Sequence, residues 1–240
     1  MEKKKNYCLP HTTRLRAIIW DLDGTIIHFK IDYIKARTAA IKILENYGTP
    51  KELLSVNKSI TENIEVAKKI FNSKGFTFKK IKRILKKINK KVSKVEFEAA
   101  KIATIVDDID QVLEFSKSKN LIQAIYTYNN KKNAKISLKK VNLLNYFDLI
   151  AGRDNVNNPK PHPDHLLFIC HKLCVNPSEI LVIGDTSKDV EGALNVGAKS
   201  IAIQTEVSKL TDLEVFKKAT ISITNKEIPL KLIESIQKFL

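Results

Sequence analysis

The sequence predicts an α/β fold: a parallel sheet core with helices on both faces, plus a block of helices inserted after the first strand. Three observations carry that reading. Six short apolar runs, each bounded by turn or charged residues, have the pattern of buried strands. Helical patterns separate the later runs, and strands alternating with helices of that length imply parallel pairing. The runs are too apolar to leave one face wet, so both faces need cover.

Taken in order, residues 1–14 read as a loose basic arm. The first strand is 17–20. The interval 31–118 lacks a convincing strand and carries amphipathic patterns, so it is expected to be a helical subdomain. One pattern places Ile81, Ile84, Leu85, Ile88, Val92 and Val95 on a single helical face. The same segment holds nine basic residues between Lys79 and Lys94 and no acid, which reads as a solvated opposite face. Core strands follow at 121–126, 147–151, 180–183, 200–203 and 221–223, with helices at 133–141, 162–173 and 187–196. The core thus comprises 15–30 and 119–240.

Composition sets the outer limits. At ~150 residues per domain, 240 residues make about 1.6 domains, which fits a core plus a smaller unit. With 43% hydrophobic and 28% charged residues the chain has a globular mix, and seven glycines and seven prolines exclude collagen-like or Gly/Pro-rich disorder. No apolar stretch approaches the ~18 residues that span a bilayer. Residues 1–16 have no apolar run of the kind a secretion signal needs, so none is expected. A net charge of +16 admits an anionic partner, although Lys spread through the chain reads mainly as solvated surface. Three cysteines, Cys8, Cys170 and Cys174, suggest reduced thiols and a cytoplasmic setting. Cys170 and Cys174 lack the second pair of ligands a closed zinc site needs, and read as small apolar residues on a buried helix face.

The chemistry-bearing residues gather at strand ends. The first strand runs into Asp21-Leu22-Asp23-Gly24-Thr25, and two carboxylates two apart on an extended segment point to one side. The carboxyl edge of an open α/β sheet is where ligands bind, and Gly24 lets the backbone turn there. The second strand ends in Tyr126-Thr127-Tyr128. Lys160 sits in Asn157-Asn158-Pro159-Lys160-Pro161-His162-Pro163, a loop whose prolines pre-set the backbone around one cation. The fourth strand ends in Gly184-Asp185-Thr186-Ser187-Lys188-Asp189. His162 and His165, at the start of the next helix, read as loop or capping residues.

With these four motifs in this order, residues 16–204 resemble the haloacid dehalogenase superfamily, in its phosphoglycolate phosphatase-like and β-phosphoglucomutase-like branch. The resemblance implies a Rossmann-like core with a helical cap, and a phosphatase that works through an aspartyl-phosphate intermediate. It implies Asp21 as nucleophile and Asp23 as general acid/base. Gly24, Thr127, Tyr128 and Lys160 would bind the phosphoryl group. Asp21, Asp23, Asp185 and Asp189 would hold Mg²⁺, and four crowded carboxylates do need a compensating cation. The implied partner is a small phosphorylated metabolite, with nucleic acid not expected and the protein a monomer or homodimer. A sugar phosphomutase is the alternative within the superfamily. A non-catalytic protein holding nucleic acid on the basic cap is the alternative outside it, and the intact acid set opposes it. The sequence departs from the branch pattern at His28, where an acid is usual, at Trp20 before the nucleophile, and at Tyr128-Asn129.

Overall fold

The computed structural model describes residues 14–206, 208 and 212–240. The basic arm expected at 1–14 therefore lies outside the described residues, Arg14 excepted. The chain divides into two compact units, one of residues 14–29 and 102–240, the other of Lys30–Lys101.

The first unit is built on six parallel strands: β1 (Ala17–Trp20), β4 (Ile122–Tyr126), β5 (Leu149–Ala151), β6 (Ile180–Gly184), β7 (Lys199–Gln204) and β8 (Ile221–Thr224). Their order is β5-β4-β1-β6-β7-β8, so β1 lies at the centre. All four residues of β1 are fully buried, and the period-2 alternation of a strand sends them to opposite faces. Ile18 and Trp20 join the core under α4 (Ile109–Ser118), α5 (Lys131–Lys140) and α9 (Leu230–Gln237). Ala17 and Ile19 join the core under α6 (Pro163–Leu173) and α7 (Ser187–Val196). Trp20 brings a polar N–H into this interior, and Nε1 donates to Gln123 Oε1 at 3.1 Å. Gln123 in turn donates to the Leu113 carbonyl. A buried indole needs such a partner.

Two strands of two residues, β2 (Ile27–His28) and β3 (Thr104–Ile105), pair antiparallel where the chain leaves and re-enters this unit. The presence of β3 corrects the reading of 31–118 as free of strands, and the boundary at 118 moves as well. Residues 102–118 belong to the sheet unit, where Ile109, Val112 and Leu113 of α4 are fully buried. An apolar stripe on a helix states that it needs a core, but not which one.

The second unit contains α1 (Tyr33–Asn46), α2 (Ile60–Ser73) and α3 (Phe78–Lys101). Ser59 and Glu62 form a capping box that starts α2. The predicted stripe of α3 closes the core: Ile84, Ile88 and Val92 are buried against Ala36, Ala40, Leu44, Ala67 and Phe71. All nine basic residues of 79–94 are exposed. Among the described residues, no helix is long and apolar enough to cross a membrane.

Candidate active site

Every acid named above stands at the carboxyl edge of the central strands. The Asp21 amide still belongs to the sheet and donates to the Ile183 carbonyl at 2.8 Å. The chain then turns sharply, with both Ile26 and Ile27 donating to the Leu22 carbonyl. Gly24 adopts φ +92°, and a Cβ there would run into the Asp185 carboxylate. Glycine is therefore required by both backbone and space.

The turn separates the two aspartates that alternation had put on one side. Asp21 is buried, and its Oδ1 lies 2.6 Å from Lys160 Nζ. Asp23 is half-buried and accepts from Thr127 Oγ1 at 3.2 Å. Thr127 is fully buried at the end of β4, and its hydroxyl also accepts from the Asn129 amide.

Lys160 reaches the cluster from the loop before α6 and is itself buried. Its ammonium donates to Asp21 Oδ1 at 2.6 Å, Asp189 Oδ1 at 2.7 Å and the Tyr126 carbonyl at 3.1 Å. All three donors of the ammonium are thus used. Asp189 stands in the first turn of α7, where its Oδ2 accepts from the amide and hydroxyl of Thr186 at 3.0 and 2.6 Å. Asp185, at the end of β6, accepts from Thr205 Oγ1 at 3.1 Å through Oδ2. Its Oδ1 is buried with no hydrogen-bond partner among the described residues.

Oxygens of Asp21, Asp185 and Asp189 all lie within 4.8 Å of one another. Burial first, then the Asp189 charge, pushes the Asp21 carboxyl well above the usual carboxylate range, and the Lys160 ammonium offsets this only in part. Burial and Asp189 likewise raise Asp185 to about 7. Burial alone would lower the Lys160 pKa, but Asp189 and Asp21 outweigh it and hold it above its ordinary value. Three close acids face one ammonium, and Asp185 Oδ1 keeps its lone pairs available to a cation. An all-oxygen donor set of this kind fits a hard divalent cation such as Mg²⁺ or Ca²⁺.

The cluster brings together Asp21, Asp23, Gly24, Thr127, Lys160, Asp185 and Asp189. Asp23, expected as a metal ligand, is not part of the close group of three acids, because the turn at Leu22 directs its side chain to Thr127. Tyr128 is 40% exposed, with Lys188 Nζ 4.9 Å from its ring centroid and its carbonyl bonded to Arg153. Its side chain thus meets Lys188 at the surface. Cys174 is a half-buried C-cap with φ 54°, past the end of α6, while Cys170 is buried. Three groups escaped the sequence reading: the Tyr126 carbonyl, Thr205 and His165. Thr205 directly follows β7 at the same carboxyl edge, which was a usable signal. His165 gave none.

The family profile described as haloacid dehalogenase-like hydrolase matches residues 18–203. Among curated proteins, the chain is 26% identical over 198 residues to a phosphorylated carbohydrates phosphatase of Thermotoga maritima, covering 78% of this chain and 84% of that protein. A 66-residue stretch is 33% identical to the phosphoglycolate phosphatase of Escherichia coli K12, covering 28% of this chain and 26% of that one. Among solved structures, a β-phosphoglucomutase from Clostridium difficile superposes with TM-score 0.65 at 22% identity, covering 92% of this chain and 96% of the other. The profile spans the sheet strands from β1 to β7 and every acid of the cluster, so the chain belongs to the haloacid dehalogenase-like hydrolases.

Proposed function

We propose that the protein is a Mg²⁺-dependent phosphatase acting on a small phosphomonoester in the cytoplasm. The observation that carries this is the buried Lys160 ammonium held at 2.6 and 2.7 Å between Asp21 and Asp189 at the carboxyl edge of the sheet. A phosphoryl group needs both a nucleophile and fixed positive charge at one point. The Thermotoga relative, named for phosphorylated carbohydrates, supports a sugar phosphate as the first substrate to try.

Asp21, Asp185 and Asp189 would hold the cation, Asp189 while also orienting Lys160. A divalent cation held there would supply charge neutralisation, letting an anionic Asp21 approach an anionic phosphoryl group. An Asp21 oxygen attacks phosphorus as the bond to the leaving oxygen breaks, and Asp23 gives that oxygen its proton. Asp23 then takes a proton from water, which attacks phosphorus and releases Asp21 and inorganic phosphate. Lys160, Thr127 and the backbone around Gly24 balance charge on the phosphoryl oxygens.

The test is phosphate release from a panel of phosphomonoesters, each with Mg²⁺ and with a chelator. Release that stops on chelation is expected. A folded protein that releases phosphate from none of them would overturn the proposal, and an isomerised sugar phosphate without free phosphate would replace it with a mutase.

A further inference from the structure

We infer that His165 is a positioning residue for this reaction, its imidazole clamping the Lys160 backbone to the sheet and so aiming the ammonium at Asp21. This rests on the phosphatase reading above.

The loop carrying Lys160 is poor in bonds of its own. Positions 159 and 161 are prolines without an amide hydrogen. No amide of 156–161 donates to a backbone carbonyl among the described residues. The Lys160 amide donates instead to His165 Nδ1, at 3.2 Å. On the other side of the ring, Nε2 is 3.1 Å from the carbonyl of Ala151, the last residue of β5. A carbonyl only accepts and an amide N–H only donates, so both partners select one tautomer: neutral, with the proton on Nε2. The ring also stands edge-on to Tyr126, centroids 4.7 Å apart. Tyr126 supplies the carbonyl that Lys160 Nζ bonds. His165 is fully buried; its ring ties the Lys160 backbone to β5 and packs on Tyr126 of β4, whose carbonyl the Lys160 ammonium bonds directly.

Such a clamp matters because the ammonium must sit within hydrogen-bond range of two carboxylates at once. A misplacement of about 1 Å at a reacting centre costs on the order of 10²-fold in rate. His162, three residues earlier, is no substitute: its side chain accepts from the Asp164 amide and caps α6.

Two half-mimics of the imidazole provide the test. Asparagine places an acceptor near the Nδ1 position, whereas glutamine places a donor near Nε2. His165→Asn, His165→Gln and His165→Leu are compared with wild type in the full chain. The measurements are kcat and KM for phosphate release with Mg²⁺, the melting temperature, and hydrogen exchange at the Lys160 amide. The inference expects kcat to fall at least tenfold in the Gln and Leu variants and to stay within about threefold in the Asn variant. Exchange at Lys160 should accelerate at least tenfold in the first two and little in Asn. Activity that merely follows melting temperature across all three, or a Lys160 amide equally protected in His165→Leu, would overturn the inference. Wild type that releases no phosphate would instead overturn the phosphatase reading, and hydrogen exchange would still decide whether His165 holds Lys160.

Discussion

Asp185→Asn should stabilise the metal-free protein while abolishing its response to Mg²⁺. The buried Asp185 carboxyl is raised from 3.8 to about 7 by burial and by Asp189. The folded chain therefore binds more protons here than the unfolded chain between those two values. Stability from this group is complete below about pH 4 and declines as pH rises through 7. About three pKa units at 1.36 kcal/mol each make the loss about 4 kcal/mol at pH 8. Asp21, raised in the same direction and sharing Asp189 as a neighbour, couples to it, so the figure belongs to the cluster as much as to one residue. An asparagine carries no charge, and its carbonyl can still accept from Thr205 Oγ1 as Asp185 does at 3.1 Å. Thermal unfolding in a chelator should show the variant more stable than wild type at pH 8 by a few kcal/mol, with the gap narrowing through pH 5 and closing near pH 4. Millimolar Mg²⁺ should then raise the melting temperature of wild type and not of the variant. The reasoning fails if the two proteins lose the same stability between pH 5 and 8, or if Mg²⁺ stabilises both alike.

Three other outcomes follow from the geometry. Asp21→Asn should remove turnover and leave the circular dichroism spectrum unchanged, since Asp21 bonds the Ile183 carbonyl through its amide; retained phosphate release would exclude it as nucleophile. Gly192→Ala should cost about 1–3 kcal/mol in denaturant titration, because the added Cβ would collide with the Tyr126 hydroxyl, which is buried without a partner. Tyr126→Phe should relieve that collision in the double variant, and strictly additive losses would refute the contact. Burial, then repulsion from Lys160, lowers His165 to about 4, with the Ala151 carbonyl and then Asp154 acting the other way. Wild type should therefore lose about 3 kcal/mol relative to His165→Gln as pH falls from 6.5 to 4, and a stability difference that is flat over that window would contradict it.

Much of this protein is legible without a structure, for local reasons. Strands such as 17–20 and 180–183 are fully apolar, because a parallel sheet buries both faces, so composition alone marks them. The α3 stripe is visible because 3.6 periodicity is a property of one helix. The acids, Thr127 and Lys160 were found because each follows a predicted strand or lies in the loop before a helix. What stayed hidden depends on non-local pairing. Strand β3 is two residues long and exists only through its partner Ile27–His28, 76 residues away along the chain. The apolar face of α4 was visible, but only packing shows that it meets the sheet. Asp21 and Asp23 looked equivalent on an extended segment, and the turn at Leu22 sends one to Lys160 and the other to Thr127. Tyr128 looked like a site residue by its position, yet its side chain meets Lys188 at the surface. His165 looked like an ordinary helix-start histidine, because nothing in its neighbours along the chain reveals that Ala151, from another strand, faces its ring. Sequence patterning therefore determined the elements and the inventory of reactive groups. Tertiary packing alone decided which oxygen meets which cation, since that depends on distances between segments far apart in the chain.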